Sequence, residues 1–196
     1  MTKILPLPVK KNKFGQRVAD IPTNDYYGQI MEEVLEAHQA ANNAEILKVM
    51  RDEGCGQCAE FIQTNEAEEL VDVITCCVTR LEILDIVEKE EDELPLEDLI
   101  KDFPLNKMPE NFIRELAQKV LNAHRAATKY DFAVTEFEGF TYAELEELNI
   151  NELHALVEII KLCVARLEHL GYDEDKRQEM YQAVNEKNRK RGYFED

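Results

Sequence analysis

The sequence predicts an all-α protein with a four-helix-bundle-like core, made of two duplicated helical hairpins with accessory helices around them. Three observations lead there. The 196 residues include 7 Gly and 6 Pro, so backbone breakers are scarce, while the strong helix formers Glu, Leu, Ala and Lys are plentiful. Apolar residues recur at the three- and four-residue spacing of a single helix face. The second half of the chain also echoes the first, and two hairpins packed together can close a core that one alone cannot.

Residues 1–22 are basic, proline-containing and without periodicity, and read as an N-terminal arm. From about Asp25 to Asn42, the positions Ile30, Val34, Ala37, His38 and Ala41 form one helical stripe. A weaker helix is expected from Ala44 to Glu53, stopped by Gly54 and Gly56. A long helix follows from about Asn65 to Glu88, with Leu70, Val73, Ile74, Cys77, Leu81 and Leu84 on one broad face. Glu88 to Asp92 is an acidic, solvated stretch, and Pro95, Pro104 and Pro109 mark a connector. Further helices are expected at 111–130, 151–170 and 174–190. The expected organisation is one all-α domain over 23–196. It comprises repeat 1 at about 25–90, repeat 2 at about 111–175 and a C-terminal helix at 174–191.

The repeat is visible residue by residue. Ile30-Met-Glu-Glu-Val-Leu-Glu-Ala-His-Gln-Ala-Ala41 aligns with Leu116-Ala-Gln-Lys-Val-Leu-Asn-Ala-His-Arg-Ala-Ala127. The stretch from Glu69 to Leu84 aligns with that from Ala155 to Leu170, at the same offset of 86 positions. Two unrelated amphipathic helices can match once by chance, but a shared offset points to internal duplication of a two-helix unit. His38 and His124 fall at equivalent core-side positions and read as packing residues. Tyr26 and Tyr27 read as aromatic core contacts.

The formal net charge is −18, from 41 acidic and 23 basic residues. Such a surface repels nucleic acid, whose phosphates need clustered Lys and Arg, and repels an acidic membrane leaflet for the same reason. Excess carboxylate suits divalent cations, which can carry an anionic substrate in with them. Five cysteines without a secretory signal imply reduced thiols and a cytoplasmic protein. Cys76, Cys77 and Cys163 lie in apolar helical runs and read as small hydrophobes. Cys55 and Cys58 have the spacing of half a zinc site, yet no second pair follows. Ile4 to Val9 is broken by Pro6 and Pro8, which excludes a signal core. No uncharged apolar run approaches roughly 18 residues, so no membrane span is expected.

Chemistry concentrates in the carboxylates of repeat 1. Glu32, Glu33 and Glu36 fall within a narrow arc of one helix, and Glu69 and Asp72 stand one turn apart on the next. If these turns lie level, four carboxylates converge in an oxygen-rich site suited to Mg²⁺, with Mn²⁺ as the alternative. Repeat 2 sharpens the point. Glu33, Glu36 and Glu69 correspond there to Lys119, Asn122 and Ala155, and only Asp72 keeps an acidic counterpart, Glu158. The core positions of the repeats match while these diverge, so one half reads as metal-binding and the other as relieved of that task.

Glu32-Glu33-x-x-Glu36 followed by Glu69-x-x-Asp72 resembles the signature of the all-α NTP pyrophosphatases, the superfamily of MazG-like proteins and dimeric dUTPases. The C-terminal segment Asn185-Glu-Lys-Asn-Arg-Lys-Arg-Gly-Tyr193 is similar to the basic, Asn-containing end of the last helix in MazG-like members, where it reaches the nucleotide. Between Glu36 and Glu69 the spacing is long for the family, and the resemblance leaves 43–64 unexplained. Duplication within one chain is similar to the dimeric dUTPase arrangement.

The resemblance implies hydrolysis of a (d)NTP to (d)NMP and pyrophosphate, serving to sanitise the nucleotide pool, with Glu33, Glu36, Glu69 and Asp72 as metal ligands. Glu32, Glu66 or the second oxygen of Glu36 then orients the attacking water. Lys187, Asn188 and Arg191 contact the substrate, and Lys119 and Asn122 face the same pocket from the degenerate repeat. A homodimer or a pseudo-dimeric monomer follows, with a nucleoside triphosphate as partner and neither nucleic acid nor membrane. The alternative is a non-catalytic helical module that binds a nucleotide or a protein. A carboxylate-bridged di-iron bundle needs Glu-x-x-His on two helices, and none of the four histidines has a Glu three residues before it.

Overall fold

The computed structural model describes residues 5–52, 56–84, 109, 111–136 and 139–194. Among these, five long helices carry the architecture: α1 Thr23–Arg51, α2 Gly56–Ile83, α3 Phe112–Glu136, α4 Tyr142–His169 and α5 Glu174–Lys190. Helix α1 packs along α2 and α3 along α4, the two pairs meet through α2 with α4 and α1 with α3, and α5 lies on α2. None of the described helices is long and apolar enough to cross a membrane.

The apolar stripes predicted from spacing line the centre. Ile30, Val34 and Ala37 of α1 and Leu70, Ile74, Cys77 and Leu81 of α2 are buried. So are the residues 86 positions on, Leu116, Val120, Ala123, Leu156, Ile160, Cys163 and Leu167. Burial of one such aliphatic side chain contributes roughly 1.5–3 kcal/mol. Tyr26 and Tyr27 join this core, and Tyr26 Oη donates to the carbonyl of Cys76 at 2.7 Å. Thr75 and Thr79, buried among apolar neighbours, donate their hydroxyls to the carbonyls one turn back, of Val71 and Thr75, each at 2.8 Å.

The offset of 86 reappears in the ion pairs that join α2 to α4. Arg80 Nε meets Glu152 Oε1 at 2.7 Å, and Arg166 Nε meets Glu66 Oε1 at 2.6 Å. Arg166 stands 86 positions after Arg80, and Glu152 stands 86 after Glu66. The aromatic neighbours follow the same rule: the guanidinium of Arg80 lies 5.9 Å from the Tyr26 ring, and that of Arg166 lies 5.8 Å from Phe112. In each helix the acid precedes the arginine by 14 residues and the two pairs cross over, so α2 and α4 run antiparallel. The two pairs are about 21 Å apart along the axis at 1.5 Å per residue.

Several boundaries differ from expectation. The two helices expected over Asp25–Asn42 and Ala44–Glu53 are one, because α1 passes through Asn42 and Asn43 without a break. Asn lowers helix propensity only by tenths of a kcal/mol, up to about 0.7, and α1 continues at that small cost. Helix α2 starts at Gly56, well before Asn65. The stretch 43–64, which the family resemblance leaves unexplained, thus lengthens the first hairpin, apart from 53–55, which lie outside the described residues and include Gly54 and Cys55. The side chain of Cys58 lies outside them too, as do the acidic stretch at 88–92 and the connector at Pro95 and Pro104. Helix α4 starts at Tyr142 rather than near 151. Its cap is a reciprocal box in which Glu144 N donates to Thr141 Oγ1 and Thr141 N donates to Glu144 Oε2.

The N-terminal arm is folded rather than a tail. Leu5, Val18 and Ile21 are buried in the core. Leu7 N donates to Asn185 Oδ1 and Val9 N to Thr79 Oγ1, both at 2.9 Å. Residues 10–18 form a tight hairpin closed by Val18 N to the Lys10 carbonyl at 2.9 Å and by a bridge between Lys11 and Arg17. Asn12 Oδ1 accepts from the amides of Phe14 and Gln16 inside the turn.

Candidate metal centre

Helices α1 and α2 bring Glu33, Glu36 and Glu69 together, each offering a carboxylate oxygen within 4.8 Å of the others. The spacing explains the convergence. Glu33 and Glu36 are one turn apart on the flank of α1 beside its Val34 and Ala37 stripe, and Glu69 borders Leu70 on the facing flank of α2. Glu33 and Glu69 are half-buried and Glu36 is exposed. Burial first, then the negative charges of Asp72, Glu36 and Glu69, push the Glu33 carboxyl up to about 7. Glu69 is raised for the same reasons, burial leading and Asp72 and Glu36 following. A cluster that resists losing its protons is one that a divalent cation would stabilise.

The fourth predicted ligand, Asp72, is next to this group but is held by Lys187, whose Nζ stands 2.7 Å from Asp72 Oδ2. Glu32 faces outward and pairs with Lys13 at 2.9 Å. Glu66 goes elsewhere. It is 2% exposed and its carboxylate is bound to Arg166 in the α2–α4 interface, so the geometry gives it an interhelical ion pair instead of a water to orient.

The C-terminal helix explains how distant residues reach the acids. Helix α5 ends in a Schellman turn, with Tyr193 N donating to the Asn188 carbonyl and Gly192 N to that of Arg189, both at 3.0 Å. Gly192 takes φ +74° there, a conformation that costs any residue with a Cβ. The turn delivers the Tyr193 carbonyl to the amides of Lys10 and Lys11, at 2.7 and 3.0 Å, so α5 clamps the arm beside the acids. The resulting cleft, about 120 Å³, is lined by Glu33 and Asp72 on one side and by Lys11, Asn12, Lys13, Asn188 and Arg191 on the others, over Tyr26, Thr75 and Cys76. Asn188, 4% exposed, is a buried polar side chain of this lining. Burial and the nearby Glu33 charge push the Cys76 thiol well up, keeping it protonated.

Lys119 and Asn122 are not brought to this cleft. Lys119 forms an ion pair with Glu158, and Asn122 Oδ1 accepts from Gln118 at 3.1 Å. The substitution has a clear physical consequence. Lys119 occupies the position of Glu33 and Glu158 that of Asp72, so in repeat 2 an ammonium group replaces one carboxylate and neutralises the other. Asn12 and Lys13 line the cleft as well, and their positions there depend on the fold of the arm. His38 and His124 are half-buried and hydrogen-bonded, to Asn42 at 3.2 Å and Asn24 at 2.7 Å. A second groove, of about 860 Å³ between α3 and α4, is walled by Phe132 and Phe140 with Arg125 and Lys129 opposite Glu144 and Glu147; it contains none of the predicted site residues.

Comparison with protein-family models, with curated proteins and with solved structures found no match for this chain.

Proposed function

We propose that this protein is a Mg²⁺-dependent nucleoside triphosphate pyrophosphohydrolase that cleaves a (d)NTP to (d)NMP and pyrophosphate. The observation that carries the reading is three carboxylates within 4.8 Å from two helices, beside a cleft whose other walls bear cations and a buried asparagine. Acids on a solvated helix face have no reason to crowd until their protons are hard to remove, as Glu33 does. Repeat 2 is an internal control: where Lys119 stands in for Glu33, the crowding of acids is gone.

Glu33, Glu36 and Glu69 would hold the ion, with Asp72 completing the set once Lys187 leaves it. Bound there, Mg²⁺ supplies charge neutralisation for the triphosphate and acidity for a water. The rest is the work of the chain's own groups. Lys187 and Arg191 bind phosphate oxygens, and Asn188 offers a buried carboxamide to the substrate. Glu36, the exposed acid of the cluster, has the solvent access needed to orient the attacking water through its second oxygen, and Glu32 can assist after releasing Lys13. Positioning and charge stabilisation are the main demands of phosphoryl transfer.

The test is product analysis after incubation with a panel of canonical and modified NTPs and dNTPs, in Mg²⁺ or EDTA, with Glu36→Gln and Asp72→Asn alongside. Metal-dependent monophosphate and pyrophosphate, lost in both variants, is the expected outcome. Folded protein that turns over none of them, with variants indistinguishable from wild type, would overturn the enzyme and favour a nucleotide- or protein-binding module.

A further inference from the structure

We propose that the N-terminal hairpin, residues 10–17, is the phosphate-recognition arm of this site, with Lys13 exchanging its contact with Glu32 for an oxygen of the substrate's polyphosphate. The proposal rests on the pyrophosphohydrolase reading above and adds an element that the carboxylate signature does not contain.

The hairpin is fixed at its base and open at its tip. The amides of Lys10 and Lys11 bind the Tyr193 carbonyl, Asn12 N donates to the Gln16 carbonyl at 2.9 Å, and Gly15 turns the chain at φ +76°. Phe14, at the tip, is 77% exposed. The hairpin therefore holds Lys11, Asn12 and Lys13 against the cleft that contains Glu33 and Asp72. Three cations, Lys11, Lys13 and Arg191, face two carboxylates in that lining, whereas the whole chain carries −18. With Lys187 beside them, four cations gather at a carboxylate cluster in so acidic a protein, an arrangement that fits a polyanion accompanied by a divalent cation.

Lys13 is the member whose present partner is easily replaced. Its ammonium is 2.9 Å from Glu32, and both side chains are nearly half exposed, so the pair is weak and readily exchanged. Glu33 and Glu36 act on it electrostatically as well, which places it within reach of the carboxylate cluster. A phosphate arriving there offers an acceptor of higher charge than Glu32. Asn12, 7% exposed, uses its Oδ1 to hold the turn, which keeps the lysine that follows it aimed along the cleft wall.

The experiment is calorimetric titration of the full chain with Mg²⁺ alone and with inorganic tripolyphosphate in excess Mg²⁺, for wild type, Lys13→Gln and Lys13→Arg. The expected result is tripolyphosphate binding weakened about tenfold or more in Lys13→Gln, largely restored in Lys13→Arg, with Mg²⁺ affinity unchanged or higher in both. Equal tripolyphosphate affinity for wild type and Lys13→Gln overturns the arm's role and leaves the enzyme reading standing. Parallel loss of Mg²⁺ affinity in Lys13→Gln reduces Lys13 to a structural counter-ion and also overturns it. Failure of wild type to bind tripolyphosphate at all takes down both readings.

Discussion

Replacing Glu33 with glutamine removes one charge from the acidic cluster at nearly constant volume, and its effect on stability should depend on both pH and metal. In the native chain the Glu33 carboxyl holds its proton up to about pH 7, against an ordinary value of 4.5. Between those limits the folded state binds more protons than the unfolded one, so stability falls as pH rises. The contribution is full below pH 4.5 and gone above about pH 7. At about 1.4 kcal/mol per pKa unit, the difference amounts to roughly 3 kcal/mol. Glutamine does not titrate and escapes this loss. With EDTA at pH 8, Glu33→Gln should therefore be more stable than wild type by up to roughly 3 kcal/mol, a Tm gain of about 6–12 °C for a chain of this size, and the gap should narrow at pH 5.5. Adding Mg²⁺ should reverse the order, raising the melting temperature of wild type and leaving the variant little changed. Thermal melts followed by circular dichroism at the two pH values, with EDTA or Mg²⁺, measure all four conditions. A variant no more stable than wild type at pH 8 in EDTA would mean that the carboxylates are not crowded. Equal Mg²⁺ stabilisation of both proteins would mean that the ion binds elsewhere, and the metal centre would have to be abandoned.

Other perturbations separate the structural groups from the functional ones. Glu152→Gln leaves Arg80, buried beside two tyrosines, without its counter-charge; urea denaturation should show a loss of about 3 kcal/mol or more, and an unchanged midpoint would refute the role of the pair. Glu66→Gln should be similarly destabilising through Arg166 yet keep the Mg²⁺ affinity of wild type, whereas an undiminished midpoint with lost Mg²⁺ binding would return Glu66 to the site. Lys187→Met frees Asp72 from its 2.7 Å partner and should tighten Mg²⁺ binding roughly fivefold, as expected from removing a pair worth about 1 kcal/mol; weaker Mg²⁺ binding in titration would contradict it. Gly192→Ala places a Cβ at φ +74°, costing about 1–2 kcal/mol, and should speed hydrogen exchange at the Lys10 and Lys11 amides that depend on Tyr193; unchanged exchange there would show that the Schellman turn does not hold the arm.

Much of this protein was determined by the sequence alone, because helical periodicity and internal repetition are local properties. The spacing of Ile30, Val34 and Ala37, and of Leu70, Ile74 and Cys77, defines which faces are buried, and the offset of 86 carries those faces into the second hairpin. Glu33, Glu36 and Glu69 were legible for the same reason: each lies beside a core stripe, so packing the stripes brings the acids level. The start of α4 was not read from the sequence, which placed it near 151, although Thr141 followed by Glu144 carries the capping-box pattern. Other features depended on contacts between residues far apart in the chain. Glu66 carries the same carboxylate as Glu69, and only Arg166, 100 residues away, commits it to an ion pair. Lys119 could not be separated from the site until Glu158 was seen beside it. The arm has no periodicity to read, and its place is decided by Asn185, Thr79 and the Tyr193 carbonyl, groups that only the tertiary structure brings to residues 7–11. Local free energies set the helices and their faces; the partner of each charged or polar group is chosen by what the packed helices leave within hydrogen-bond reach.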